Sequence, residues 1–363
     1  MKNETPPLTD ESLGFFRELL STPSPSGWEV NVQKKWLDYV RPFADEVHSD
    51  SYGNCHAILN PGGSPRIMVV GHADELGFQV NYISKEGFIY LVAIGGFDPS
   101  LARGQRVLIQ GRNGVIEGVI GSMAHHLRDK EKSLKLPEIH ELFVDIGATS
   151  AEEVLREVAI GDPVTYKIGY DELREDVWTA RGCDNQIGIF CAAEVLRRCR
   201  QAGRIQPCVI AASSVQEENG AFGGAMLGYN VKPDACLVVD VGHATDVPFY
   251  DPKRVGDVKL GKGPIVSRGS VNHPVLVERL RLIAERDDIP IQWATDPRWS
   301  GTDADTIFVQ RGGIPSAVIS LPNRYMHTPV EIIHLRDLAR INQLLSAFLV
   351  DLKFGERFDF GLT

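Results

Sequence analysis

Several short apolar runs in this 363-residue chain stop at a histidine or a carboxylate. Arg66-Ile-Met-Val-Val70-Gly71 leads into His72 and Asp74, and Cys208-Val-Ile-Ala-Ala212 leads on to Glu217 and Glu218. Cys236-Leu-Val-Val239 ends at Asp240, and Ala317-Val-Ile-Ser-Leu321 is followed by His327. Each run reads as a buried strand, because it is mainly apolar and has the length of a strand rather than a helix. In open α/β sheets ligands bind outside the carboxyl ends of the strands, so residues delivered there by several strands converge on one crevice. Two histidines and several carboxylates in such a crevice point to a hydrolytic dinuclear metal site.

The texture along the chain divides it. Thr9-Asp-Glu-Ser12 opens a first helix that runs to Leu20, with an N-cap and acids in its first turn, and a second helix is expected from about Glu29 to Val40. From about residue 75 to 166 short β-branched segments (Phe78 to Ile83, Phe88 to Ala93, Arg106 to Ile109, Val115 to Ile120, Leu142 to Asp145, Pro163 to Tyr166) alternate with Gly-rich turns. That spacing predicts a small β-barrel or sandwich. The α/β pattern resumes at Trp178, so the β-rich block is an insertion, with 1–74 and 167–363 forming the α/β domain and 75–166 the insert. Gln186 to Arg198 reads as a largely buried helix. Asp184 lies at or near its N-terminus, where an N-cap is the plain structural alternative to a ligand.

Composition excludes several classes. The formal net charge is -10 with scattered basic residues, which opposes nucleic-acid binding. No stretch approaches the roughly 20 apolar residues needed to span a bilayer, so no membrane partner is expected. Met1 to Pro7 lacks a signal-peptide core, and a cytoplasmic location follows. The six cysteines include no C-x-x-C pair and read as reduced core residues.

Taken singly, the candidate residues carry little information. With 10 histidines and 48 acids, His72-Ala-Asp74 is a pattern expected about once by chance, and a Glu-Glu pair is normally a solvated helix face. Asp240 alone could be a turn residue and His327 a hydrogen-bonded core histidine. Position raises the signal, since each candidate follows a buried strand. A dinuclear hydrolase needs a bridging acid, a histidine and an acid as terminal ligands, and an unligated Glu to carry the proton, and all are present.

Six segments, in order, resemble the motifs of the tetrahedral (TET-type) dinuclear metallo-aminopeptidases. They are Gly71-His-Ala-Asp-Glu-Leu-Gly77, Cys183-Asp-Asn-Gln-Ile-Gly188, Val215-Gln-Glu-Glu-Asn-Gly220, Asp240-Val-Gly-His-Ala244, Gly301-Thr-Asp-Ala304 and Tyr325-Met-His-Thr-Pro329. Gly95-Gly-Phe-Asp-Pro99, Arg103-Gly-Gln-Arg-Val107 and Phe143-Val-Asp-Ile-Gly-Ala148 resemble parts of the family's inserted domain. The family includes glutamyl and deblocking aminopeptidases, and some members carry an endoglucanase label. A glycosidase needs two carboxylates flanking a sugar bond rather than metal-binding histidines, which argues against that label.

The resemblance implies an α/β fold, a mixed-sheet phosphorylase/hydrolase-like metallopeptidase domain with an inserted small β-barrel that forms dimers. It implies two divalent metal ions per subunit, with zinc the first expectation and cobalt or manganese also suited to nitrogen and oxygen ligands. Asp184 would bridge them, His72 and Asp240 completing one site and Glu218 and His327 the other. Glu217 would be the general base, acting on a hydroxide activated by two metals, and Asp74 would orient the His72 ring. Substrates would be short peptides with a free N-terminus, with self-association into dimers and a hollow dodecamer. Thr302, Asp303 and Arg324 are candidate substrate-binding residues. A basic group in the first pocket would favour N-terminal Glu or Asp, and Arg298 or Arg324 is the candidate, although Arg324 is equally a structural ion-pair partner. His243 is expected to line the site without binding metal, and His334 to lead into a helix. Gln186, Ser122-Met-Ala-His-His126 and Asp305 depart from the family pattern. Two other readings stand beside this one: a related dinuclear amidohydrolase acting on N-acyl amino acids or on peptide carboxyl ends, and a catalytically silent assembly protein.

Overall fold

The structure is a computed structural model that describes residues 8–127 and 136–362; Met1 to Pro7, read above for a signal peptide, lies outside them. An eight-stranded mixed sheet forms the centre, in the order Glu46–Ser49, Cys55–Leu59, Cys208–Ser214, Arg66–His72, Ala235–His243, Ser316–Asn323, Ile265–Arg268, Gln292–Thr295. The four middle strands, Cys208–Ser214 through Ser316–Asn323, run parallel to one another. Their carboxyl ends therefore lie along one edge.

Alternation along these strands splits the core into two layers. Ile67 and Val69 pack with Phe16, Trp36, Phe190 and Phe348 on one face. Met68 and Val70 pack with Leu227, Ile307 and Val318 on the other. Both faces are thus covered, as an almost continuous apolar run requires. The helix Asp10–Ser21 begins at its expected cap, where Ser12 N donates to Thr9 Oγ1 at 3.1 Å. The second helix is Val30–Val40, and its Trp36 indole donates to the Ile189 carbonyl at 2.8 Å.

The insertion is a closed barrel in the order Gly77–Ile83, Ile89–Ile94, Phe143–Asp145, Gly114–Ile120, Arg106–Gly111, Pro163–Tyr166. All six segments expected to be strands are strands. Phe78, Val80, Leu91, Val107, Ile109 and Val164 fill a core separate from the other two. The barrel sits close to the sheet edge that matters, since its first strand begins three residues after Asp74. Among the described residues no helix is long and apolar enough to cross a membrane, and all six cysteines are free and buried.

Candidate metal centre

The long helix Cys183–Gln201 lies across the sheet and brings Asp184 to the edge where the strands end. Its close approach depends on two glycines. A Cβ on Gly71 would meet the Gly188 backbone at 2.4 Å, and one on Gly188 would meet the Val239 carbonyl at 2.5 Å. Asp184 is not an N-cap. It and Asn185 break the helical φ/ψ pattern at the helix start, and the Asp184 carboxylate turns towards two histidines. Asn185 fixes the local fold by donating to the Val239 carbonyl at 2.9 Å and accepting from Gly188 N at 2.9 Å.

The convergence is tight. His72 Nε2 lies 3.2 Å from Asp184 Oδ1, 3.8 Å from Glu217 Oε2 and 3.9 Å from Asp240 Oδ1. His327 Nε2 lies 3.3 Å from Asp184 Oδ2 and 3.9 Å from Glu218 Oε2. Two sets of donor atoms, each within 4.8 Å, result: His72, Asp184 and Asp240, and Asp184, Glu218 and His327. Asp184 belongs to both, one oxygen facing each histidine.

Electrostatics show what this cluster would hold. Burial pushes Asp240 and Glu218 well above the usual carboxylate range, and repulsion from Asp184 adds to it in both. Burial also raises Glu217, with Asp303, Asp184 and Asp74 repelling its charge and His72 pulling the other way. Burial would raise Asp184 as well, but hydrogen bonds from His327 and His72 outweigh it and hold that carboxyl low. Glu218 Oε1 is buried with no hydrogen-bond partner. Four carboxylates, two imidazoles and an orphaned oxygen fit a pair of divalent cations, which would neutralise the excess charge.

Two further acids hold this arrangement together. Asp74 is completely buried; its Oδ1 lies 3.3 Å from His72 Nδ1 and accepts from Glu217 N at 2.9 Å, while Oδ2 accepts from Glu218 N at 3.1 Å and Ser26 Oγ at 2.6 Å. It therefore fixes the Glu217–Glu218 turn as well as facing the ring. Glu331 received no role in the sequence reading. It is buried, and it accepts from Asp184 N through Oε2 and from His327 N through Oε1, both at 3.1 Å. His327 has φ 62°, in the left-handed region, so an acceptor fixing its amide stabilises an uncommon backbone state. The sequence signal was weak: an acid four residues after His327, opening the apolar strand Glu331–His334.

A pocket of about 400 Å³ opens from the cluster between the last strands of the sheet, lined among others by His243 and Thr302. Two of the substrate candidates lie elsewhere. Asp303 is buried behind the site, where Ser214 Oγ donates to its Oδ2 at 2.5 Å. Arg324 forks onto Asp246, with contacts of 2.9 and 2.6 Å, and is not among the lining residues. Arg298 is exposed and does not line the pocket either. His334 is the N-cap of the helix Leu335–Asp351, accepting from Arg336 N. Gln186 donates to the Ala73 carbonyl and Ser24 Oγ, tying the His72 turn to the Ser24 loop. Asp305 accepts from the Ser300 and Gly301 amides and holds the turn before Thr302.

The sequence pattern that defines the M42 glutamyl aminopeptidase family matches residues 53–344, well over half of the chain. The chain belongs to this family. The M42 chain is 32% identical over 347 residues to a lysyl aminopeptidase of Pyrococcus furiosus, covering 93% of this chain and 97% of that protein. It superposes on a TET aminopeptidase from the archaeon Thaumarchaeota archaeon SCGC AB-539-E09 with a TM-score of 0.90 at 33% identity, covering 94% and 97% of the two chains. It is also similar to the Pyrococcus horikoshii TET1 peptidase, described as assembling into a tetrahedron or a large octahedral shell. There the TM-score is 0.83 at 28% identity, with 94% of this chain and 100% of that one covered. This M42 protein is thus a metal-dependent aminopeptidase, a peptide hydrolase.

Proposed function

We propose that the enzyme removes the first residue of short peptides with the aid of two divalent ions, one held by His72, Asp184 and Asp240 and the other by Asp184, Glu218 and His327. The carrying observation is the shared Asp184 carboxylate, with an imidazole on each oxygen. When bound, the ions would polarise the scissile carbonyl, acidify the attacking water and offer a position to the free α-amine. Zinc is our choice of resident ion on the imidazole and carboxylate donor set, with cobalt or manganese as substitutes.

The rest of the chemistry belongs to side chains of this chain. Glu217 takes the proton of the attacking water and returns it to the departing nitrogen. Asp74 holds the Glu217 amide and faces His72 Nδ1, which keeps Nε2 directed at Asp184. A position reserved for a free amine confines cleavage to the first peptide bond.

We further assign 1–74 and 167–363 to catalysis and 75–166 to dimerisation, with dimers building a closed dodecamer in the cytoplasm. The shell-forming relative supports this assembly. Free and N-acetylated aminoacyl p-nitroanilides, assayed beside Glu217→Gln, test the mechanism. Free-amine substrates alone should be cleaved, activity should vanish with chelator, and Glu217→Gln should keep its metals while losing about 100-fold or more of its turnover. Cleavage of the acetylated substrates instead would favour an amidohydrolase, and a fully active Glu217→Gln would remove the base from its role.

A further inference from the structure

The two histidines of the metal centre are backed by different parts of the molecule. His72 Nδ1 lies 3.1 Å from the Asp74 carbonyl and 3.3 Å from its carboxylate, two residues further along the same segment. The ring of His327 is instead hydrogen-bonded to the backbone of Gly96, in the inserted barrel. Its Nε2 faces Asp184 at 3.3 Å, so the bond uses Nδ1. Hydrogen bonding to Asp184 raises the pKa of this ring, burial lowers it, and the Gly96 contact raises it again. A contact that favours the protonated ring is one to which the ring donates, so the acceptor is the Gly96 carbonyl. The His327 side chain is 40% exposed against 2% for His72. Packing on every side fixes the His72 ring, whereas the direction of the His327 ring depends on its hydrogen bonds.

The loop that carries Gly96 touches the other ligand as well. Gly95 has φ 72°, in the left-handed region, and a Cβ there would meet Leu76 Cδ2 at 2.2 Å and Glu218 Cβ at 3.5 Å. The backbone of the loop therefore lies against Glu218, which belongs to the same donor set as His327. On its far side the loop is pinned to the barrel. Phe97 packs edge-on against Phe78 in the barrel core, with ring centroids 4.7 Å apart, and Asp98 caps the next turn by accepting from Ser100 N at 2.8 Å. Leu76, Phe97, Glu218 and His327 line one small cavity of about 30 Å³ beside the centre.

We propose that loop 95–97 of the barrel is a positioning element of the metal centre, its Gly96 carbonyl aiming His327 and its Gly95 backbone seating Glu218. The ion held by Asp184, Glu218 and His327 then depends on the insert, and the ion held by His72, Asp184 and Asp240 does not. The inference rests on the two-ion reading above. A ligating histidine that loses the acceptor of its second N–H binds metal about 10- to 100-fold more weakly.

The test is zinc binding, measured by competition with a chromogenic chelator, in the wild type, Gly95→Ala, Gly96→Ala and, as the reference for loss of one site, His327→Gln. The wild type should bind two ions. Gly95→Ala has to move the loop off Leu76, and it should hold one ion as the wild type does and the other about tenfold or more weakly, as His327→Gln does. Gly96→Ala puts its methyl in open space and keeps the carbonyl, so both ions should stay. Excess zinc should return the turnover of Gly95→Ala to the wild-type value, a recovery that a general loss of structure would not allow. His327→Nδ1-methylhistidine asks the same question without touching the loop, and decides it if Gly95→Ala does not fold. Nε2 keeps its lone pair, Nδ1 has no proton to donate, and the same ion should be weakened. Wild-type affinity for both ions in either variant overturns the proposal and leaves the aminopeptidase standing, as does an equal loss of both ions. A wild type that binds fewer than two ions overturns the two-ion reading together with it.

Discussion

Asp184 and His327 share more than the centre they face. Their amides end on the two oxygens of one carboxylate, Glu331. Glu331→Gln keeps the volume but replaces one oxygen with an NH2 group, so one of the two backbone donors loses its acceptor. The expected result is metal affinity lowered by about 10- to 100-fold, the usual effect of losing a group that orients ligands. Competition with a chromogenic chelator measures it, and unchanged affinity would show that the ligands hold their positions without Glu331. The six motifs contained the residues facing one another across the cluster, because a run of apolar residues ending at a polar one marks a strand end. They did not contain Glu331, which opens a short edge strand of ordinary composition and whose role comes from backbone contacts to Asp184 and His327 that depend on the packing of distant elements.

At the scale of elements, the crossing of the Cys183–Gln201 helix over the strands Arg66–His72 and Ala235–His243 determines whether Asp184 reaches His72. Gly71→Ala places a methyl 2.4 Å from the Gly188 backbone. Main chain cannot swing aside as a side-chain tip can, so the helix must shift. Destabilisation of about 1–3 kcal/mol is expected, with weaker metal retention, and scanning calorimetry would show it; an unchanged Tm would mean that the helix has slack. The edge hairpin offers a pH handle. His56 stacks on its cross-strand neighbour His48, and burial, then the charge of His48, lower its pKa from 6.5 to about 4. The unfolded chain therefore binds this proton more readily between those values, and stability falls as pH drops from 6.5 towards 4. Denaturant midpoints across that range should flatten in His56→Gln; an identical slope would place the acid sensitivity elsewhere. The strands and the barrel were readable from apolar runs and Gly-rich turns. The break in the helix at Asp184 was not, because the helical pattern from Gln186 onward describes side-chain burial and says nothing of the φ/ψ of the two residues before it.

For the whole molecule, the assembly proposal has a direct readout. Gel filtration with light scattering should give a species near twelve times the 40.1 kDa chain mass, and a species of dimer mass would confine assembly to the first step. Closed shells are common solutions for symmetric subunits whose rotations close. The barrel's attachment gives that question a mechanical side. Its first strand starts three residues after Asp74, and the connecting Glu75 is stapled to Arg181 and accepts from Ser24 N. In the proposed assembly a neighbouring subunit pressing on the barrel would have a very short lever arm to the carboxylate that holds the amides of Glu217 and Glu218, and quaternary structure and turnover would meet at the same joint.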